Sequence, residues 1–261
     1  MAPAVRVLVV RTAGINCDEE VLHCWRLAGA EPALVHVNFL AKRPAALDDY
    51  SIVTIPGGFS YGDDIAAGVI LAQRILLDLA DPLRRFVQRG GGVLGICNGF
   101  QVLVKAGLLP GLDSGRDQVT VTFNDSARFE ARWVRLAVCT NRCPFLKPAT
   151  FLEMPVEHAE GKVIAAGEAV LDRLRREQLI ALRYVDAEGR HDRYPANPNG
   201  SVDGIAGLCD PTGRIFGLMP HPDRHFLPTH HPLWTRRDAG GTPDGLTVFQ
   251  NAVAHWARMA R

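Results

Sequence analysis

Residues 92 to 101, Gly92-Val-Leu-Gly-Ile-Cys-Asn-Gly-Phe-Gln101, join an apolar run to the start of an amphipathic segment. Val93 to Cys97 reads as a strand buried on both faces, and the spacing from about Gly99 to Leu108 predicts a helix. Cys97 then stands at the carboxyl end of a central strand, where ligands of α/β sheets gather. Gly95-x-Cys97-x-Gly99 is the thiol form of a nucleophile elbow, in which small flanking residues let the chain fold back around a strained turn. A helix opening behind the thiol would favour its thiolate. On these residues alone two readings stand: a nucleophile, or a buried thiol between loop glycines.

Outward from this stretch the pattern repeats. Val5 to Val10, Ala33 to Val37 and Ser51 to Ile55 are further apolar strand signals. Asp18 to Ala28 is helical, with acids in its first turn and Gly29 after it. Ile65 to Arg89 has helical spacing broken at Asp81-Pro82. Alternating strands and helices predict βαβ units with a parallel sheet and right-handed crossovers. Beyond residue 110 the strands Val119–Phe123, Phe129–Val138, Leu179–Val185 and Arg214–Met219 are separated by turn signals at Asp186–Gly189 and Asp210–Gly213, which predict antiparallel hairpins. Leu246 to Met259 closes the chain as a helix, after a Pro/Gly/His-rich loop from Pro220 to Pro243. No repeat or linker interrupts residues 1–261, which read as a single domain.

A nucleophilic thiol needs a base and an oxyanion site. Pro56-Gly-Gly-Phe-Ser-Tyr-Gly-Asp-Asp64 follows a strand, so Gly57 and Gly58 reach the same sheet edge and can offer bare N–H groups, with the N–H of Asn98 as a second donor. The alternative is a plain strand-to-helix turn; the spacing matches no phosphate loop. In Met219-Pro-His-Pro-Asp-Arg224, His221 is the candidate base and Asp223 the acid that orients it. His225, His230 and His231 invite a metal reading, as do Cys139 and Cys143, but their spacing fits no helix-borne or finger site, so no metal is expected.

Composition narrows the function classes. Lys and Arg total 29 against 28 Asp and Glu, a net charge of +1 that leaves no electrostatic footprint for nucleic acid or an anionic membrane. No stretch approaches the roughly 20 apolar residues of a membrane span, and the N-terminus is too soon interrupted for a signal peptide. The expectation is a cytoplasmic protein. Its 6 scattered cysteines then read as reduced thiols.

Together these residues resemble the class I (triad) glutamine amidotransferases, and within that family the glutaminase components of phosphoribosylformylglycinamidine synthase. The resemblance rests on Ala13-Gly-Ile-Asn-Cys-Asp-Glu-Glu20, Pro56 to Gly68, Gly95-Ile-Cys-Asn-Gly-Phe-Gln101, Asn124 to Trp133, Tyr194 to Ser201 and Met219 to Arg224. It implies a three-layer, flavodoxin-like α/β fold: a mostly parallel central sheet with helices on both faces and an added antiparallel hairpin region. It implies that Cys97 forms a thioester with the side chain of glutamine, that His221 protonates the departing ammonia and activates water, and that Asp223 completes the triad. Gly57, Gly58 and Asn98 would serve the oxyanion, and Gln101 with the Asn124–Phe129 segment the amino-acid end of glutamine. No cofactor is implied for this chain. ATP and Mg are expected on a separate synthetase subunit that uses the ammonia to convert formylglycinamide ribonucleotide to its amidine, with a small third subunit as a further possible partner.

The chain departs from the family pattern twice. Asp223 stands where the family has Glu, a loss of about 1.5 Å of reach, and Ala159 stands in His158-Ala-Glu-Gly161 where Gly is usual. The first predicts a slower enzyme, since a misplacement of about 1 Å can cost on the order of a hundredfold. Two other readings follow: a non-catalytic regulatory subunit of the same complex with an impaired triad, and a cysteine hydrolase acting on other amides.

Overall fold

A computed structural model describes residues 4–111, 118–236 and 241–259. The first part is β1 (Arg6–Arg11), α1 (Asp18–Leu27), β2 (Glu31–His36), α2 (Val37–Lys42), β3 (Ile52–Ile55), α3 (Val69–Asp78), α4 (Ala80–Gln88), β4 (Gly92–Ile96) and α5 (Asn98–Lys105). Then come β5 (Val119–Thr122), β6 (Glu130–Val138), β7 (Phe151–His158), β8 (Lys162–Ala165), α6 (Glu168–Arg176), β9 (Ile180–Val185), β10 (Ile205–Cys209), β11 (Ile215–Leu218) and α7 (Asp244–Met259).

Nine strands form one sheet in the order β2-β1-β3-β4-β11-β10-β9-β6-β7. The pairs from β2 to β11 are parallel, and those from β11 to β7 antiparallel. Only β10 and β6 therefore oppose the common direction. Strands β3, β4 and β11 are buried along their whole length, which is why their sequences are apolar without alternation. Because β1 leads to a neighbour on one side and β3 to a neighbour on the other, right-handed crossovers place α1 and α3 on opposite faces. Trp25 of α1 meets Phe249 of α7 edge-on and donates to Thr54 Oγ1 at 3.1 Å, which seals one face. On the other face α5 closes over Gly217, whose absent Cβ leaves room for Phe100. Strands β5 and β8 form a separate antiparallel ladder.

Several expectations shift. The break in the 65–89 helical pattern falls at Leu79, between α3 and α4, and Pro82 sits in the first turn of α4, where its missing N–H costs nothing. Asp210–Gly213 does join β10 to β11 as a hairpin, whereas Asp186–Gly189 is a local turn that leads into no strand. Strand β7 was hidden from a sequence reading by Pro155, which an edge strand tolerates. The loop from Pro220 contains three short 3₁₀ turns; residues 237–240 of it lie outside the described residues. Among the described residues no helix is long and apolar enough to cross a membrane.

Candidate active site

Cys97 adopts φ +49° and ψ −104°, the strained turn expected of an elbow. A Cβ on Gly99 would lie 2.0 Å from the Ile55 carbonyl oxygen, and one on Gly95 would lie 2.6 Å from that of Gly99. The turn therefore closes only around glycines. The Cys97 N–H donates to the Leu218 carbonyl at 2.8 Å, which fixes the elbow to the end of β11. His221 lies three residues beyond Leu218, so the pairing of β4 with β11 is what brings thiol and imidazole together.

Gly57 separates the two: its absent Cβ would meet His221 Cε1 at 2.8 Å and Cys97 Cβ at 3.6 Å. Gly58 turns through φ +136° against the Gly14–Asn16 backbone. Asn98 opens α5, whose first hydrogen bond is the one from the Gln101 N–H to the Cys97 carbonyl. That leaves the Asn98 N–H among the helix donors without an intrahelical partner, on the positive end of the helix dipole. The Asn98 side chain is structural: it accepts from Ser60 N and donates to Asp63 and to Gln101 Oε1. Gln101 in turn donates to the Glu160 carbonyl.

His221 is 2% exposed and Asp223 fully buried. Nδ1 of the imidazole stands 3.3 Å from Asp223 Oδ1 and 3.5 Å from Oδ2, long contacts that match a shortened acid. Nε2 is buried without a hydrogen-bond partner. Burial pushes the imidazole toward neutrality, but the charges of Asp223 and of Cys97 outweigh it and hold His221 well above the usual histidine range.

The cleft over these residues is lined also by Asn16, Cys17, Phe129, Glu157, His158, Glu160 and Arg224. Sequence reasoning passed over most of them. Cys97 Sγ lies 3.7 Å from the Glu157 carbonyl, so the end of β7 forms the wall facing the nucleophile. That wall is held by an amide cage. Asn124 Nδ2 donates to the Arg128 and His158 carbonyls, and its Oδ1 accepts from Gly161 N and His158 Nδ1. His158 is thus the Nδ1–H tautomer, with Asn199 Nδ2 3.5 Å from Nε2. Burial, with the nearby His221, depresses its pKa to about 4. Asn124 does not line the cleft; Phe129 does. Ala159 lies outside the left-handed region, so its position demands no glycine.

All six cysteines are free, and burial pushes the thiols of Cys24, Cys139, Cys143 and Cys209 up, which leaves them unreactive. His225 and His231 are engaged by Glu153 and lie edge-on to Trp133. Among the described residues the group with metal-ligand spacing is instead Cys17, His221 and Asp223.

The CobB/CobQ-like glutamine amidotransferase domain matches residues 4–256, and the chain belongs to that glutamine amidotransferase family. It is 44% identical to the phosphoribosylformylglycinamidine synthase subunit PurQ of Dehalococcoides mccartyi, over 97% of this chain and 98% of the relative. The PurQ subunit of Archaeoglobus fulgidus is 37% identical over 98% of each. Among solved structures, PurLQS from Thermotoga maritima superposes with a TM-score of 0.73 at 30% identity, over 97% of this chain and 100% of that one. A Thermotoga maritima glutamine amidotransferase (TM-score 0.54, 15% identity, 99% of each chain) shares the fold. Within the family the chain groups with these PurQ subunits.

Proposed function

We propose that this chain is the glutaminase subunit of phosphoribosylformylglycinamidine synthase, and that Cys97, His221 and Asp223 carry the reaction. The Cys97 thiol proton passes to His221 as Sγ attacks the side-chain amide carbon of glutamine, while the oxyanion faces the Gly57–Gly58 turn and the Asn98 N–H. The C–N bond breaks as His221 passes its proton to the leaving ammonia, and a thioester remains. His221 then takes a proton from water, hydroxide adds to the thioester carbon, and the C–S bond breaks as His221 returns the proton to sulfur, which releases glutamate and restores the thiol. Ammonia passes to a separate synthetase subunit, where ATP and Mg²⁺ activate the amide oxygen of formylglycinamide ribonucleotide; a small third subunit completes the partners.

The observation that carries this reading is the left-handed Cys97 between two glycines that backbone contacts exclude from carrying side chains. The regulatory-subunit reading draws on the 3.3 Å His221–Asp223 contact, yet the charge of Asp223 still raises the imidazole pKa above the usual histidine range, as an orienting acid does. A glutamine analogue that alkylates the nucleophile separates the two. We expect one adduct, on Cys97, in the assembled complex; an unmodified Cys97 with the partner present would assign the chain to regulation.

A further inference from the structure

Cys17 takes no part in the hydrolysis described above, yet it is buried against the catalytic histidine. Its Sγ, a ring nitrogen of His221 and a carboxylate oxygen of Asp223 all lie within 4.8 Å of one another. Tetrahedral zinc, with bonds of about 2.0–2.3 Å, sets its ligand atoms about 3.3–3.8 Å apart. The 3.3 Å between His221 Nδ1 and Asp223 Oδ1 already has that spacing, and Cys17 Sγ, within 4.8 Å of the other two ligand atoms, has at most about 1.5 Å to close.

Two buried atoms here carry no well-formed hydrogen bond: His221 Nε2 has no partner, and Asp223 Oδ1 has only the 3.3 Å approach of Nδ1. The donor set of one thiol, one imidazole and one carboxylate is chemically suited to a borderline-soft cation and poorly suited to Mg²⁺ or Ca²⁺. Around the sulfur, Arg224 Nη2 lies 3.6 Å away and Asn16 Oδ1 3.4 Å away. An N–H aimed at a ligand sulfur stabilises the bound thiolate, as outer-shell donors do. Cys17, His221 and Arg224 all line the cleft, which gives a cation its entry.

We propose that Cys17, His221 and Asp223 form a three-ligand site for a divalent cation of the zinc type, and that its occupancy stops hydrolysis because a metal-bound His221 can no longer take up the proton the reaction needs. Binding releases the Cys17 thiol proton and the Nδ1 proton of His221 to solvent.

The test begins with the full-length Cys97→Ala chain, which removes the nucleophile as a competing ligand. Co²⁺ is expected to bind at one equivalent with a sulfur-to-cobalt charge-transfer band, and Zn²⁺ to displace it. Adding Cys17→Ala should abolish the band and weaken affinity by more than about 100-fold, beyond the roughly 10–100-fold that outer-shell changes cost. In the unsubstituted complex Zn²⁺ should inhibit glutamine hydrolysis, and a chelator should restore it. A band that survives Cys17→Ala, or one that is absent from the Cys97→Ala chain, overturns the proposal. Should Cys17→Ala fail to fold, Asp223→Asn on the Cys97→Ala background must lose tight binding, and unchanged affinity also overturns it. The cobalt measurement reads binding alone, so it stands apart from the glutaminase reading.

Discussion

The two flanks of the central sheet build the same cleft by different means. The parallel flank, β2 to β11, supplies the elbow, the Gly57–Gly58 turn and the His221 loop. It does so with backbone: a left-handed cysteine and glycines whose neighbours leave no space for a Cβ. The antiparallel flank, ending at β7, supplies a wall fixed by side-chain amides around a neutral histidine. Backbone geometry tolerates no adjustment, whereas a hydrogen-bonded cage yields by degrees and responds to pH.

This contrast can be broken first at Gly99. Gly99→Ala places a methyl against the backbone of β3, so no rotamer change relieves it. We expect a loss above the roughly 1–3 kcal/mol usual for overpacking, with no glutamine hydrolysis. Thermal unfolding and activity of the purified variant check this, and a normal melt with normal turnover would remove the steric argument.

Asp223→Asn comes next. The amide loses the charge that raises the His221 pKa, and the rate of glutamine hydrolysis should drop on the order of 10³–10⁴-fold with the fold intact. A loss of less than tenfold would place the orienting of His221 elsewhere, for example on Cys17.

On the antiparallel flank the sharper probe is pH. Unfolded, His158 titrates near 6.5; folded, it is held to about 4. Between these values the unfolded chain binds more protons, so this contribution to stability is present above pH 6.5 and is lost as pH falls toward 4. From pH 7 to pH 5 the loss is about 2 kcal/mol. His158→Asn removes that dependence, so denaturant unfolding at the two pH values should show the unsubstituted chain losing more than the variant. Equal losses would mean that the cage does not exclude the proton. Ala159→Gly is the smallest change. The position needs no left-handed backbone, so stability should fall by no more than about 1 kcal/mol, through the unfolded chain, with the rate unchanged.

The same division explains what could be read from the sequence. Glycines around Cys97, the apolar runs of β1, β3 and β4, and the His221-Pro-Asp223 order are local signals, and each lies where the reading placed it. The wall was not legible, because its bonds join residues far apart in the chain: Asn124 to His158 and Gly161, and Asn199 to both. The family resemblance points the Asn124–Phe129 segment at the amino-acid end of glutamine, whereas the Asn124 amide is engaged inside the cage. Cys17 stood within a quoted motif without a role, and only the pairing of distant loops sets it beside His221. Strand β7 went unread for a simpler reason, Pro155, whose carbonyl accepts from the His221 N–H at 2.8 Å.

The central claim is that Cys97 is the nucleophile that releases ammonia for a synthetase partner. Its most direct test is the Cys97→Ala chain assembled with the encoded synthetase and assayed with glutamine and then with ammonia as nitrogen donor. The account predicts loss of glutamine-dependent synthesis with ammonia-dependent synthesis retained. Unchanged synthesis from glutamine in that variant would contradict it.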